Sequence, residues 1–221
     1  MKTDLSSPIA AILFDLDGTL VDTAPDMALA LNRLRQEYHR PPLPFELIRP
    51  QVSNGAAAMI RLGFGLEAGQ TGYAELRERF LQLYLSELYR NSRLFPGLAP
   101  VLDQLAQRGI RWGIVTNKPA FLTDPLIRLM GLPSAVTVSG DSLTLRKPDP
   151  AQLLYAAGYL RLPPEHCLYI GDHERDIIAS RAAGMPSLAV TWGYLDGERP
   201  PQTWGANAVI DHPQQILEWL P

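Results

Sequence analysis

Three short apolar runs, each ending abruptly in polar residues, constrain this chain more than any other feature. They are "IAAILF" before Asp15, "IRWGIV" before Thr116 and "CLYI" before Gly171 and Asp172, with a weaker fourth, "SLAV", before Thr191. Continuous hydrophobicity at these lengths suits strands covered on both faces, the signature of a parallel sheet. Helical patterns lie between them: "LAPVLDQLAQRG" before the second run, "PAQLLYAAGYL" before the third and "RDIIASRAAG" after it. The alternation predicts an α/β fold built on a doubly wound parallel sheet. In such sheets ligands bind beyond the carboxyl ends of the strands, where the polar residues just named all fall.

Residues 22–93 interrupt this rhythm. "DMALALNRLRQEY" and "YAELRERFLQLYLSELYR" have helical patterning, and no strand is predicted between them. The proline cluster "RPPLP" ends the first helix, and "SNGAAAMIRLGFG" reads as a loop leading into a further helix. The sequence therefore predicts a core formed by residues 1–21 and 94–221, with an inserted α-helical cap subdomain at 22–93. "LFPGLAP" returns the chain to the sheet.

Composition narrows the function classes. With 221 residues, 46% of them hydrophobic, the chain can build a sizeable core. Its charged fraction of 19% and net charge of −3 provide no broad basic field, so neither nucleic acid nor a membrane surface is an expected partner. The single cysteine, Cys167, cannot form an internal disulfide, and its apolar neighbours predict a buried strand position in a reducing compartment. No apolar run approaches the roughly 20 residues of a spanning helix. Lys2 stands near Asp4, Asp15 and Asp17, a charge pattern unlike a signal peptide. A cytoplasmic location is the expectation.

The chemistry is suggested by acids placed where like charges repel. Asp15 and Asp17 are two residues apart, so in extended backbone their side chains project the same way. A second pair, Asp172 and Asp176, follows the third apolar run in "GDHERD". Taken alone, the first pair reads as turn residues capping backbone groups and the second as charge complementing a helix N-terminus. If all four converge, they take up protons or cost stability unless a divalent cation lies among them. Oxygen-only ligands point to Mg²⁺, and no His/Cys cluster favours zinc. Thr116 offers a hydroxyl beside Asn117, both able to hold phosphate oxygens. Lys147 sits in "LRKPDP", where prolines exclude helix, and its ammonium can balance the acids and a transferring phosphoryl group.

"DLDGT", "VTNKP", "RKPDP" and "GDHERD", in this order, resemble the four motifs of the haloacid dehalogenase-like hydrolases and span nearly the whole chain outside the helical insert. The resemblance implies a Rossmann-like hydrolase core with a small helical cap and Mg²⁺-dependent hydrolysis of a small phosphorylated metabolite. It assigns Asp15 as nucleophile, Asp17 as acid/base, and Thr116 and Lys147 as catalytic partners. Asp15, Asp172, Asp176 and the backbone carbonyl of Asp17 would hold the metal. Thr19 and Asn117 would steady the transferring oxygens. Haloacid dehalogenases proper lack the second acid of the first motif, and non-catalytic members usually lose an acid there. Sugar-phosphate mutases keep both acids.

Specificity is expected from the loop "VSNGAAAM", residues 52–59, with Ser53, Asn54, Gly55 and nearby Arg61 as candidate substrate-binding residues. The Gly-containing cap loop is related to that of phosphoglycolate phosphatases. "RPQVSNGA", "SRLFPG" and "WGANAVIDHP" resemble the N-acetylmuramic acid 6-phosphate phosphatases more closely. Both substrates are retained, and a monomer or homodimer is expected. The tryptophans of "TWGYLDGERPPQTWGANAVI" are expected to pack against the sheet.

Overall fold

The structure, a computed structural model, describes residues 7–197 and 199–221. Lys2 and Asp4 lie outside the described residues. In chain order the elements are β1 (Ala11–Phe14), β2 (Val21–Asp22), α1 (Ala24–Glu37), α2 (Phe45–Ile48), α3 (Gly55–Phe64), α4 (Tyr73–Ser86), β3 (Arg93–Leu94) and α5 (Leu98–Gln107). They continue as β4 (Arg111–Val115), α6 (Ala120–Met130), β5 (Thr137–Val138), α7 (Ala151–Leu160), β6 (Cys167–Gly171), α8 (Glu174–Ala182), β7 (Ser187–Val190) and β8 (Ala208–Ile210).

Six strands form one sheet in the order β5-β4-β1-β6-β7-β8, and every neighbouring pair is parallel. The chain builds outward from β1 to β4 and β5 on one side, then crosses over to β6, β7 and β8 on the other. That reversal opens a crevice between β1 and β6 at their carboxyl ends, the place where doubly wound sheets bind ligands. The backbone N–H of Asp15 donates to Ile170 O at 2.8 Å, so the first acidic motif emerges directly alongside the end of β6.

Strand alternation distributes side chains to two cores. Ile12 and Phe14 of β1 join Leu98, Val101 and Leu105 of α5 and Leu122 and Leu126 of α6. Ala11 and Leu13 point the other way, toward Leu153, Ala156 and Leu160 of α7. Trp204 is buried with Ile177 of α8 and Ala189 of β7, and the Trp192 indole N–H donates to Thr19 O at 3.0 Å. The tryptophans thus pack against the sheet and its strand-end loop.

Between Ala24 and Ser86 every regular element is helical. The segment leaves and rejoins the core through a short antiparallel ribbon in which Val21 pairs with Leu94 and Asp22 with Arg93. Asp26 secures the junction by accepting from Asn91 N–H, Ser92 N–H and Ser92 Oγ at 2.6–2.9 Å. The apolar faces of α1, α3 and α4, with Leu31, Met59 and Phe80 fully buried, continue the first core upward. Two details differ from the expected pattern. Helix α4 stops at Ser86 instead of running through "ELYR", because Tyr89 takes a left-handed φ of 65°. Residues 49–54 form a 3₁₀ turn, and Gly55 starts α3 with φ of 69°. A Cβ at Gly55 would meet nothing within 4 Å, so the backbone conformation, not close approach, requires glycine there.

Candidate active site

Three carboxylates meet at the crevice. Oxygens of Asp15, Asp172 and Asp176 lie within 4.8 Å of one another, and all three residues are buried. Each is placed by a different piece of local structure. Asp15 follows β1 directly, and its Oδ1 accepts from the N–H of Leu16 at 2.8 Å. Asp172 follows β6, and Asp176 sits in the first turn of α8. The start of α8 is a reciprocal cap: the Asp176 carboxylate accepts from His173 N–H at 3.0 Å while His173 Nδ1 accepts from Arg175 N–H at 3.2 Å. Burial, then the neighbouring Arg175 charge, lowers the His173 pKa and favours the neutral ring this cap needs. His173, unassigned from the sequence, is thus a helix cap.

Lys147 lies beneath the cluster, 3% exposed, with Nζ 2.9 Å from Asp15 Oδ1 and 2.7 Å from Asp176 Oδ1. It also donates to Tyr169 Oη at 2.7 Å and Val115 O at 3.0 Å. Burial opposes its charge, but the two carboxylates outweigh burial and raise its pKa. Even so, three carboxylates against one ammonium leave an excess of two negative charges. Burial raises Asp15 to about 6 despite Lys147, and burial together with the charges of Asp15 and Asp176 raises Asp172 to about 7. A divalent cation would cancel that excess, and an all-oxygen donor set suits a hard ion. The backbone leaves room close to the acids: a Cβ on Gly18, whose φ is 87°, would fall 2.2 Å from Asp172 Oδ2. A Cβ on Gly193 would lie 2.5 Å from Gly18 O. The residues present fit a Mg²⁺ site. Asp176 and Asp172 each already accept at both oxygens, whereas the contacts of Asp15 all fall on Oδ1, so Asp15 is its most open member.

Asp17 stands apart from this cluster. It accepts from Thr23 Oγ1 at 2.6 Å and is paired with Lys118, whose Nζ lies 2.9 Å from Oδ1 and 3.2 Å from Oδ2. The Lys118 ammonium also donates to Tyr84 Oη of α4 at 2.7 Å, joining the loop after β4 to that helix. Sequence reading missed this lysine although it quoted "VTNKP"; its position two residues past a strand-end threonine was the available signal.

The other expected residues separate into groups. Thr116 is buried at the end of β4, and its Oγ1 accepts from Lys118 N–H at 3.2 Å. Asn117 Nδ2 donates to Lys147 O at 2.8 Å, while its buried Oδ1 has no partner. Thr19, expected to face phosphate, is fully buried and donates to Asp172 Oδ1 at 2.9 Å, so its hydroxyl orients that acid. Ser53 Oγ donates to Asp172 Oδ2 at 3.0 Å. Asn54 Oδ1 and Ser53 O accept from Arg175 Nη2 at 3.3 and 2.6 Å. Arg61 is exposed and stands outside the cavity wall.

Part of this site opens into a cavity of about 620 Å³ lined by residues of the strand ends and of α1, α3 and α4; Asp172, Asp176 and Thr19 lie outside its lining. Asp15, Asp17, Thr116 and Lys147 line its floor; Ser53, Asn54 and Gly55 line one wall and α4 another. Outside the cavity lining, Arg49 ties the 3₁₀ turn to the loop after β7, donating to Trp192 O at 2.9 Å and Gly193 O at 3.0 Å with its guanidinium 5.0 Å from the centre of the Tyr194 ring.

The family model for haloacid dehalogenase-like hydrolases matches residues 9–184, which include every residue of the acidic cluster. The chain belongs to the haloacid dehalogenase-like hydrolases. Within this hydrolase family it is similar to a phosphoglycolate phosphatase of Xanthomonas campestris pv. campestris, with 42% identity over 94% of this chain and 95% of that one. It is also similar to an N-acetylmuramic acid 6-phosphate phosphatase of Pseudomonas aeruginosa, with 38% identity over 96% of this chain and 95% of that one. A crystal structure from Haemophilus somnus, described as a predicted phosphoglycolate phosphatase, superimposes with a TM-score of 0.85 at 28% identity, covering 96% of this chain and 98% of its own. The relatives and the family together make this hydrolase a phosphatase. Among the described residues no helix is long and apolar enough to cross a membrane.

Proposed function

We propose that this phosphatase hydrolyses a small phosphorylated metabolite with Mg²⁺ through an aspartyl-phosphate on Asp15, in the manner of phosphoglycolate phosphatases. The observation that carries the reading is the buried cluster of Asp15, Asp172 and Asp176 on one lysine, whose net charge of −2 calls for a divalent cation. Asp15, Asp172 and Asp176, with the backbone carbonyl of Asp17, would hold that ion. When bound, it supplies charge neutralisation between the nucleophilic carboxylate and the phosphate.

The chain's own groups supply the rest. Lys147 fixes one oxygen of Asp15 through Oδ1, so the other is free to attack phosphorus in line. Asp17 passes a proton to the departing alkoxide oxygen and then takes one from the water that cleaves the acyl phosphate. Thr116 and Asn117 face the equatorial oxygens, and the Lys147 ammonium beneath them adds positive charge, where most of the protein's effect on phosphoryl transfer arises. Ser53, Asn54 and Gly55 form the part of the cap nearest this floor.

A second substrate reading is favoured by size. A cavity of about 620 Å³, lined partly by Met27, Tyr73, Phe80 and Leu122, exceeds what a two-carbon phosphoester fills and suits a larger body such as N-acetylmuramic acid 6-phosphate. We infer a cytoplasmic enzyme, monomer or homodimer, acting on either substrate.

Phosphate release from p-nitrophenyl phosphate, 2-phosphoglycolate and N-acetylmuramic acid 6-phosphate, with and without MgCl₂, tests the proposal. Metal-dependent release with a clear kcat/KM preference for one metabolite is expected. No metal-dependent release from any of the three would overturn it.

A further inference from the structure

The chemistry above leaves two charged residues of the cavity wall unused. Five basic side chains line it: Arg77, Lys118, Arg146, Lys147 and Arg175. Lys147 is engaged with Asp15 and Asp176, Lys118 with Asp17 and Tyr84, and Arg175 with Ser53 and Asn54. The guanidinium groups of Arg77 and Arg146 have neither a hydrogen-bond nor an ion-pair partner among the described residues. The acids of the wall, Asp15 and Asp17, are each already faced by a lysine. Both arginines are exposed, so two positive charges without a partner among the described residues border the cavity away from its buried floor.

Their placement gives the geometry of what they would bind. Tyr73, Arg77, Phe80, Leu81 and Tyr84 all line the cavity and fall at i, i+4, i+7, i+8 and i+11, so they form one stripe along α4. The Tyr84 end of that stripe touches Lys118 beside Asp17. Arg77 lies seven residues back, about 10 Å along the helix axis at 1.5 Å per residue, and Phe80 and Leu81 provide apolar surface between. Arg146 lines the same cavity from another segment, one residue before Lys147 in the loop leading to α7.

We propose that Arg77 and Arg146 form an anion subsite for the leaving group. By this inference, which rests on the phosphatase reading above, the enzyme selects phosphomonoesters whose alcohol carries an oxyanion across an apolar spacer. The oxyanion is a carboxylate or a second phosphate, since guanidinium forks recognise both.

The test is a matched substrate series with MgCl₂: phenyl phosphate, 4-carboxyphenyl phosphate and 1,4-phenylene bisphosphate, assayed on the wild type, Arg77→Gln, Arg146→Gln, the double variant and Arg77→Lys. The readout is the ratio of kcat/KM for each anionic substrate to that for phenyl phosphate, which cancels any general loss of activity or folding. The wild type is expected to prefer an anionic substrate by about tenfold or more, chiefly in KM, as charged hydrogen bonds made in both ground and transition states do. The double variant should bring that ratio close to one, with Arg77→Lys intermediate. Preference for the carboxylate alone or the bisphosphate alone identifies which oxyanion the subsite takes. A wild-type ratio near one, or a ratio unchanged in the double variant while phenyl phosphate is still hydrolysed, would overturn the subsite. Absence of phenyl phosphate hydrolysis by the wild type would overturn the underlying phosphatase reading as well.

Discussion

The Lys118 ammonium bridges Asp17 and Tyr84, 2.9 Å from a carboxylate oxygen of one and 2.7 Å from the phenol oxygen of the other. Asp17 belongs to the loop after β1 and Tyr84 to the last inserted helix, so one buried cation ties the proposed acid/base to the roof of the cavity. Burial raises the Tyr84 hydroxyl to about 12, which keeps it a neutral partner for the lysine. Lys118→Met is expected to lower kcat on p-nitrophenyl phosphate by roughly 10- to 100-fold, within the range that general acid/base catalysis contributes. Tyr84→Phe, which removes only the hydroxyl, should cost less. Steady-state kinetics with circular dichroism on both variants checks this; an unchanged kcat in a folded Lys118→Met would show that the pair does not position Asp17.

Gly18 makes a separate prediction. With φ of 87° and the Asp172 carboxylate filling the space of a Cβ, Gly18→Ala combines backbone strain with displacement of a cluster acid. The concentration of Mg²⁺ needed for half-maximal activity should rise by about tenfold or more, in line with losses seen when groups supporting metal ligands are disturbed. A magnesium titration of activity reads this directly, and an unchanged midpoint would argue against a metal at Asp172.

The raised carboxyl pKa values set a pH dependence for the metal-free protein. Asp15 and Asp172 titrate at about 6 and about 7 when folded, against an ordinary value of 3.8. Between about pH 4 and pH 7 the folded state thus holds protons that the unfolded chain has released, and stability falls as pH rises. The contribution is complete below about pH 4 and is lost through pH 6–7. Magnesium competes with those protons, so MgCl₂ should raise Tm more at pH 7.5 than at pH 5. A gain of 1 kcal/mol corresponds to about 2–4 °C for a chain of this size. Thermal melts at the two pH values, with and without MgCl₂, decide it; an equal or larger gain at pH 5 contradicts the assignment.

Arg49 holds the 3₁₀ turn that carries Ser53 and Asn54 against the sheet's strand-end loop, binding two carbonyls there and lying over the Tyr194 ring. Arg49→Ala should raise KM for the preferred metabolite several-fold, by loosening the turn that presents Ser53 and Asn54, while costing about 1 kcal/mol of stability because the residue is half-buried. Kinetics and a thermal melt separate the two effects. A large stability loss with KM unchanged would make the residue structural only.

Much of this arrangement could be read from the chain because its signals are local. The central strands are continuous apolar runs, and Asp15, Thr116 and Asp172 each follow one directly, so sheet topology alone brings them to the same edge. Edge strands β5 and β8, with two and three residues, are too short for periodicity to mark. Contacts between distant segments were equally hidden: Lys118 is 101 residues from Asp17, and Tyr194 N–H donates to Asp172 Oδ2 across a turn with no sequence signature. Thr19 shows the converse problem. Its motif position suggested a phosphate contact, but the reversal of the chain at Gly18 turns its hydroxyl onto Asp172. The inserted helices were legible as helices, whereas the cavity face of α4 depends on how they dock.

The central claim is that Asp15 carries the phosphoryl group between substrate and water, and a single-turnover experiment tests it most directly. Enzyme in excess over 2-phosphoglycolate or N-acetylmuramic acid 6-phosphate, with MgCl₂ in ¹⁸O-enriched water, is quenched in acid, and the peptide containing residues 10–23 is examined by mass spectrometry. Attack by Asp15 predicts a phosphorylated peptide at short times. The inorganic phosphate of that turnover carries one ¹⁸O from water and Asp15 keeps both of its oxygens, because water attacks phosphorus and the bond between Asp15 oxygen and phosphorus breaks. Asp15→Asn should yield neither product while keeping its fold. Metal-dependent phosphate release by Asp15→Asn, with no phosphorylated peptide at any time in the wild type, would contradict the account.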